Sequence, residues 1–204
     1  MLDSLQEWQN PPDYIVIIDN GLVINLDKFN HSLIDVSNLK IQSGLNLLRP
    51  ERNMGVASSW NWFLKNVPVT AMVIANDDIE IFEETFQQLY ASLKQYSNAP
   101  LISVNDSWSL FILRKKALYQ PGLFDENFWP AYFEDNDYDY RIKLSGLPRG
   151  NIQGKLIHHV STALKTYTEK EKQQHDKRFR DNQRYYASKW GGMPGKERFK
   201  KPAI

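Results

Sequence analysis

Short apolar runs of strand length alternate along this chain with stretches of helical period, and several of the runs end in acidic residues. "YIVIID" closes on Asp19 and the turn pair Asn20-Gly21. "VIANDDIEI", residues 73 to 81, stops being apolar abruptly at Asn76, Asp77 and Asp78. Such alternation is the mark of βα units around a largely parallel sheet. Predicted strands cover Tyr14–Asp19, Leu45–Leu48, Val69–Ala75, Leu101–Val104, Ser109–Leu113 and Lys155–Val160. Predicted helices cover Ala57–Lys65, Phe82–Tyr96, Lys115–Tyr119 and Glu134–Leu144. A last, mostly charged helix runs from about Thr168 to Trp190, where Gly191-Gly192 stops it. No repeat or linker interrupts the pattern. The expectation is one α/β domain over 1–204, with a first half over 1–105, a second over 106–165, and a C-terminal helix and tail over 166–204.

Composition narrows the function classes. Lys and Arg number 25 against 24 Asp and Glu, a net charge of +1, which gives no field for a nucleic-acid partner. Cysteine is absent, so disulfides and thiolate metal sites are excluded and a metal would take oxygen or imidazole ligands, favouring Mg, Mn or Ca over structural zinc. No apolar run reaches the roughly 18 residues of a membrane span, and "MLDSLQEWQNPPD" lacks the features of a signal peptide. A soluble, cytoplasmic protein is expected, with the basic tail "GKERFKK" as a candidate peripheral membrane contact.

Ligands of open α/β sheets bind beyond the carboxyl ends of the strands. Asp19, Asp77 with Asp78, and His158 or His159 all fall at such ends, and Asp, Asp and His from three strand ends suit a hard divalent cation. Each group also has a plainer reading. Asp77 and Asp78 can cap the following helix, whose Glu80, Glu83 and Glu84 suit its positive end. A strand histidine is commonly a satisfied packing residue, and adjacent strand residues face opposite sides, so only one of the pair should enter a site. In "YFEDNDYDYR", Asp135 and Asp139 share a helix face while Asp137 and Arg141 are spaced as an ordinary salt bridge. Four acids in six residues beside aromatic rings nevertheless raise one another's proton affinity, which is how a carboxylate becomes a useful general base. "ERNMGVASSWNW" places Asn53 and Gly55 where a strand meets a helix, a turn whose glycine also allows close backbone approach to a nucleotide.

Together these stretches resemble the family 2 type of glycosyltransferase, with the nucleotide-sugar-binding α/β fold called GT-A. The resemblance runs from about Asp13 to Trp190. "YIVIIDNG" is similar to the family's second strand, "NMGVASSWN" to its N-x-G-x-A-x-x-x-N stretch, and "ANDDIEI" to its metal-binding aspartate motif. "LFILRKKALYQPGLFDENFWPAYFEDNDYDYR" resembles the acceptor-side segment, and "LIHHVST" the strand bearing a metal-ligand histidine. Family members open with a strand of the "VSIIIPTYNR" kind, whereas this chain begins in what reads as a first helix, "MLDSLQEW".

The resemblance implies a GT-A-like fold with a mixed, mostly parallel central sheet flanked by helices and a C-terminal helical appendage. It implies that Asp19, Arg52, Asn53, Asn76 and Asp77 contact the nucleotide sugar. Asp78, joined by His158 (or His159 in its place), would hold Mn²⁺ or Mg²⁺ on the diphosphate. Asp135 would be the general base and Glu134 would orient the acceptor. Trp108 and Trp129 are candidates for stacking on sugars. The implied activity is metal-dependent, inverting transfer of a hexose from a nucleotide diphosphate sugar, UDP-linked by resemblance, to a hydroxyl of a saccharide or glycoconjugate. A sugar nucleotidyltransferase and a non-catalytic sugar- or nucleotide-binding domain are the alternatives.

Overall fold

The computed structural model describes residues 7–21, 31–33, 41–159 and 167–204. Within them nine strands and four helices give a mixed α/β fold. Strands β1 (Tyr14–Ile18), β2 (His31–Leu33) and β3 (Gly44–Leu48) form a parallel sheet in the order β1-β3-β2. Buried Asn46 of β3 is satisfied locally, its amide donating to the carbonyls of Gln42 and Gly44 at 2.7 and 3.0 Å. Helix α1 (Gly55–Asn66) follows, and its Trp62 packs with Leu48 of β3.

Next come β4 (Ala71–Ala75), β5 (Ile79–Ile81), helix α2 (Glu83–Gln95), β6 (Leu101–Val104) and β7 (Ser107–Arg114). A 3₁₀ turn over Lys115–Leu118 precedes helix α3 (Glu134–Leu144), then β8 (Arg149–Ile152), β9 (Leu156–His158) and helix α4 (Glu169–Trp190). The four-stranded sheet is mixed, in the order β4-β7-β6-β8: β7 runs antiparallel to both β4 and β6, while β8 is parallel to β6. The β6–β7 hairpin turns on Asn105 and Asp106, both at positive φ (56° and 54°), as a two-residue turn matched to strand twist requires. β5 and β9 form a separate antiparallel pair.

Side chains alternate across a strand, so the four-stranded sheet feeds two cores. Leu101, Phe111 and Leu113 pack on one face with Trp60 and Leu64 of α1 and with Tyr138 and Ile142 of α3. Ile102, Val104, Leu110 and Ile112 pack on the other with Leu89 of α2 and Ile79 and Ile81 of β5. Both faces being covered explains why these strands read as continuous apolar runs.

The predicted elements are present, with ends shifted by a few residues; the predicted strand Lys155–Val160 is three residues long, Leu156–His158, and Val160 lies outside the described residues. β2, β5 and β8 were not predicted. "IEI" and "RGNI" are too short and too polar to carry a strand period, and become strands by pairing with distant partners. The last helix has the expected charged solvent side. Its other side is integral to the fold, burying Asn182, Tyr186, Lys189 and Trp190. Among the described residues no helix is long and apolar enough to cross a membrane.

Candidate functional site

Three groups of predicted residues gather at chain segments that the sheets bring together. The first lies where β1 and β3 meet α1. Asp19 follows β1, is 1% exposed, and its Oδ2 lies 3.3 Å from Arg49 Nε. Asn20 braces the start of α1, accepting from the Met54 amide at 3.0 Å and donating to Ser59 Oγ at 2.9 Å. Asn53 is exposed and caps the next turn, its Oδ1 accepting from the Gly55 amide at 2.8 Å; Arg52 beside it is also exposed. Gly55 has φ +76°, and a Cβ there would sit 2.8 Å from Pro130 O and from Trp129 Cδ1. Since the Val56 amide also donates to Pro130 O, the close approach this glycine permits is that of the 129–130 backbone.

The second group sits beyond β4. Asn76 continues the sheet, its amide donating to Ser109 O at 2.9 Å; Asp77 is exposed and Asp78 is 23% exposed. The β5–β9 ladder pairs Ile79 with His158, which delivers His158 to Asp78: Nε2 lies 3.1 Å from Oδ2. Asp78 Oδ1 is buried without a hydrogen-bond partner. His159 turns instead to Glu80, at 2.7 Å, as alternation along a strand requires. The pairing predicted for a metal, Asp78 with His158, is thus a contact between residues 80 positions apart. A buried, unpartnered carboxylate oxygen beside an imidazole is a partial donor set for a divalent cation. No group of three histidines and acids suited to an ion gathers among the described residues. Ser161 and Thr162, beyond the histidines in "HHVST", lie outside them.

The third group is the start of α3. Tyr132 and Phe133 both have positive φ, 80° and 73°, and Phe133 is the N-cap residue, with no side-chain cap bond. Glu134 follows, 5% exposed, with a buried unpartnered Oε2. Burial, reinforced by the neighbouring Asp135 charge, pushes its carboxyl up to about 8. Asp135 is half-buried; burial raises it above the ordinary aspartate range, opposed by backbone amides, chiefly that of Asn136, and by Arg149. Asp139, also raised by burial, accepts from Trp108 Nε1 at 2.9 Å. Because Trp108, the second residue of β7, precedes Ser109, whose carbonyl accepts from Asn76, this bond ties α3 to the strand end that carries Asp77 and Asp78.

The two tryptophans differ in placement. Trp108 stacks on Trp60 at 5.5 Å and meets Phe124 and Tyr138 edge-on. Trp129 is 40% exposed, its Nε1 3.4 Å from Asn53 O, with the Arg178 guanidinium 5.0 Å from its ring centre. It therefore links the first group to α4.

Residues of α4 complete this region, and sequence reading did not single them out. Asn182 donates to the carbonyls of Ala131 (2.8 Å) and Tyr132 (3.3 Å), His175 Nε2 lies 2.7 Å from the Tyr132 hydroxyl, and Lys189 reaches Asp137 and Asp125. They are about 40 to 65 positions from their partners, and no local pattern connects them.

No family model matches the chain. Over a 60-residue stretch, 29% of its length, the chain is 37% identical to a Leishmania donovani protein named galactofuranosyl glycosyltransferase, and the match spans 14% of that protein.

Proposed function

We propose that this protein is a metal-dependent, inverting glycosyltransferase of the GT-A kind. It transfers a hexose from a nucleoside diphosphate sugar, UDP-linked in our reading, to a hydroxyl of a glycan. The observation that carries this is the Asp78–His158 contact with its buried, unpartnered Asp78 oxygen. It is tied through Ser109, Trp108 and Asp139 to the helix bearing Glu134 and Asp135. The partial likeness to a glycosyltransferase supports it, and the galactofuranosyl group in that relative's name is the first sugar to test.

Asp19, Arg52, Asn53, Asn76 and Asp77 would make up the nucleotide side, Asp78 and His158 would hold Mn²⁺ or Mg²⁺, and Trp129 offers exposed ring surface to a sugar. The ion would neutralise charge on the departing diphosphate. Asp135 takes the proton from the attacking hydroxyl. Glu134 is the poorer base: at about 8 its carboxyl is mostly protonated near neutrality, and so it donates a hydrogen bond to the acceptor. One in-line displacement inverts the anomeric centre.

The test is a thermal-shift panel of nucleotides with and without Mn²⁺, since a ligand that binds only the folded protein raises its melting temperature. UDP should stabilise only with the metal. Transfer assays should then release nucleoside diphosphate; release of pyrophosphate would overturn the reading. Asp78→Ala should abolish metal-dependent UDP binding by calorimetry, and undiminished binding would remove Asp78 from the metal site.

Glu134 also makes a prediction about stability. Its folded-state pKa is raised, so its contribution is fully present below about 4.5 and is lost as pH rises toward about 8. Glu134→Gln, which mimics the protonated carboxyl, should flatten that part of the melting profile while keeping most of the turnover. An unchanged pH slope would show that Glu134 titrates normally.

A further inference from the structure

We propose that Asn182 of α4 is a positioning residue for Asp135, holding the left-handed turn that aims the start of α3 into the site. This rests on the reading of Asp135 as the base. Tyr132 and Phe133 occupy the left-handed region, which is costly for non-glycine residues and persists only where surrounding structure over-determines it. Phe133 supplies no cap of its own, so α3 does not fix its own entry. The restraint comes from the Asn182 side chain, 4% exposed, whose amide nitrogen is shared between the carbonyls of Ala131 and Tyr132 immediately before the two strained residues. Phe179, one turn earlier on α4, packs on both rings of the turn, with centroids 5.3 Å from Tyr132 and 5.3 Å from Phe133. An apolar contact tolerates sliding; a buried amide donating to two carbonyls does not. Without it two backbone acceptors lose their donor and the turn can relax, swinging Glu134 and Asp135.

Asn182→Asp keeps the shape but turns an oxygen toward the two carbonyls. Asn182→Ala, which removes the donor without adding charge, serves if the first variant does not fold. The control is Tyr186→Phe on the same helix, which loses the 2.6 Å bond to Glu197 and should cost stability only. The expected result is a fall in kcat on the order of 10²-fold, the scale of an ångström-sized misplacement, with donor KM unchanged. The acid limb of the kcat profile should also move to lower pH. Asp135 is faced by Glu134, by Asp139 on its own helix and by Arg149 of β8, and its burial is what raises it, so a loosened turn that admits water lowers it. If the Asn182 variants melt earlier but keep kcat and its pH profile, as the Tyr186→Phe control should, Asn182 is merely structural and the proposal fails. An active Asp135→Asn, or a wild type without transfer, removes the base itself and overturns both readings. A dead Asp135→Asn beside unimpaired Asn182 variants overturns this one alone.

Discussion

On the proposed glycosyltransferase reading, Asp135→Asn should lower transfer by roughly 10²- to 10⁴-fold, the usual contribution of a positioned general base, while donor binding should stay close to that of the wild type. The amide has nearly the shape of the carboxylate and can keep its bond from the Asn136 amide, so the first turn of α3 need not move. What is lost is the ability to take a proton. The choice of Asp135 over its neighbour follows from their surroundings. Glu134 is more deeply buried and feels the Asp135 charge, whereas Asp135 is steadied by backbone amides and the positive charge of Arg149. Burial raises both carboxyls, Glu134 with the added push of the Asp135 charge, which is why the proposed mechanism gives Glu134 the donating part and Asp135 the accepting one. The acid limb of the wild-type kcat profile should lie above the ordinary aspartate range and should vanish in the residual rate of the variant. Normal turnover by Asp135→Asn, with nucleoside diphosphate as product, would show that the base lies elsewhere.

Legibility in the sequence tracked whether the cause of a feature was local. β6 and β7 were readable because burial on both faces makes an apolar run, and α2 because its apolar positions follow a helical period. The span of α3 was also legible, and the rings beside its acids pointed to reduced solvation; the extent was not legible, since Glu134, Asp137, Tyr138, Tyr140 and Ile142 are all buried. The reason is that α3 is covered on one side by Trp108 and Phe124 and on another by α4, so only Lys143 and Leu144 at its end are fully exposed and its acids do not mark a solvent face. The Asp137–Arg141 bridge, an i,i+4 pair, was legible at 2.8 Å; Lys189 on the same carboxylate, 52 positions away, was not. In the site, Asp78 and His158 were paired by likeness to a family. Their physical link is the β5–β9 ladder, and β5 was one of the strands the sequence hid. Gly55 shows the same limit, since its necessity comes from the 129–130 backbone and not from its own turn.

Lys189→Met costs roughly 3 to 5 kcal/mol, the scale of removing one partner from a buried ion pair, and lowers the melting temperature by roughly 6 to 20 °C for a domain of this size. Lys189 Nζ lies 2.7 Å from Asp125 Oδ2 and 2.6 Å from Asp137 Oδ1, and it is 7% exposed. Asp137 is fully buried and keeps Arg141 and Trp190 Nε1 in the variant; Asp125 keeps only the Asn127 and Tyr185 donors. Methionine fills most of the volume, so the loss is electrostatic rather than a cavity, and that distinction can be measured. Burial alone would raise the Asp125 carboxyl, but Lys189, the Asn127 amide and the Tyr185 hydroxyl outweigh it and hold it below the usual range. In the wild type this contribution is present above the unfolded pKa of an aspartate, near 3.9, and is lost as pH falls through the lower folded value. In the variant the ammonium is gone while the Asn127 and Tyr185 donors stay, so the carboxyl is held down less strongly and this contribution shrinks. The two melting curves should therefore converge as pH falls below about 4. Asp125→Asn added to Lys189→Met should recover part of the loss by removing the more poorly compensated charge. A gap that stays constant with pH would mean that packing, not the carboxylates, carries the contact. An unchanged melting temperature would mean that α4 is held to α3 by its aromatic residues alone, with Tyr186 and Trp190 sufficient to keep the helix that bears Asn182 in place.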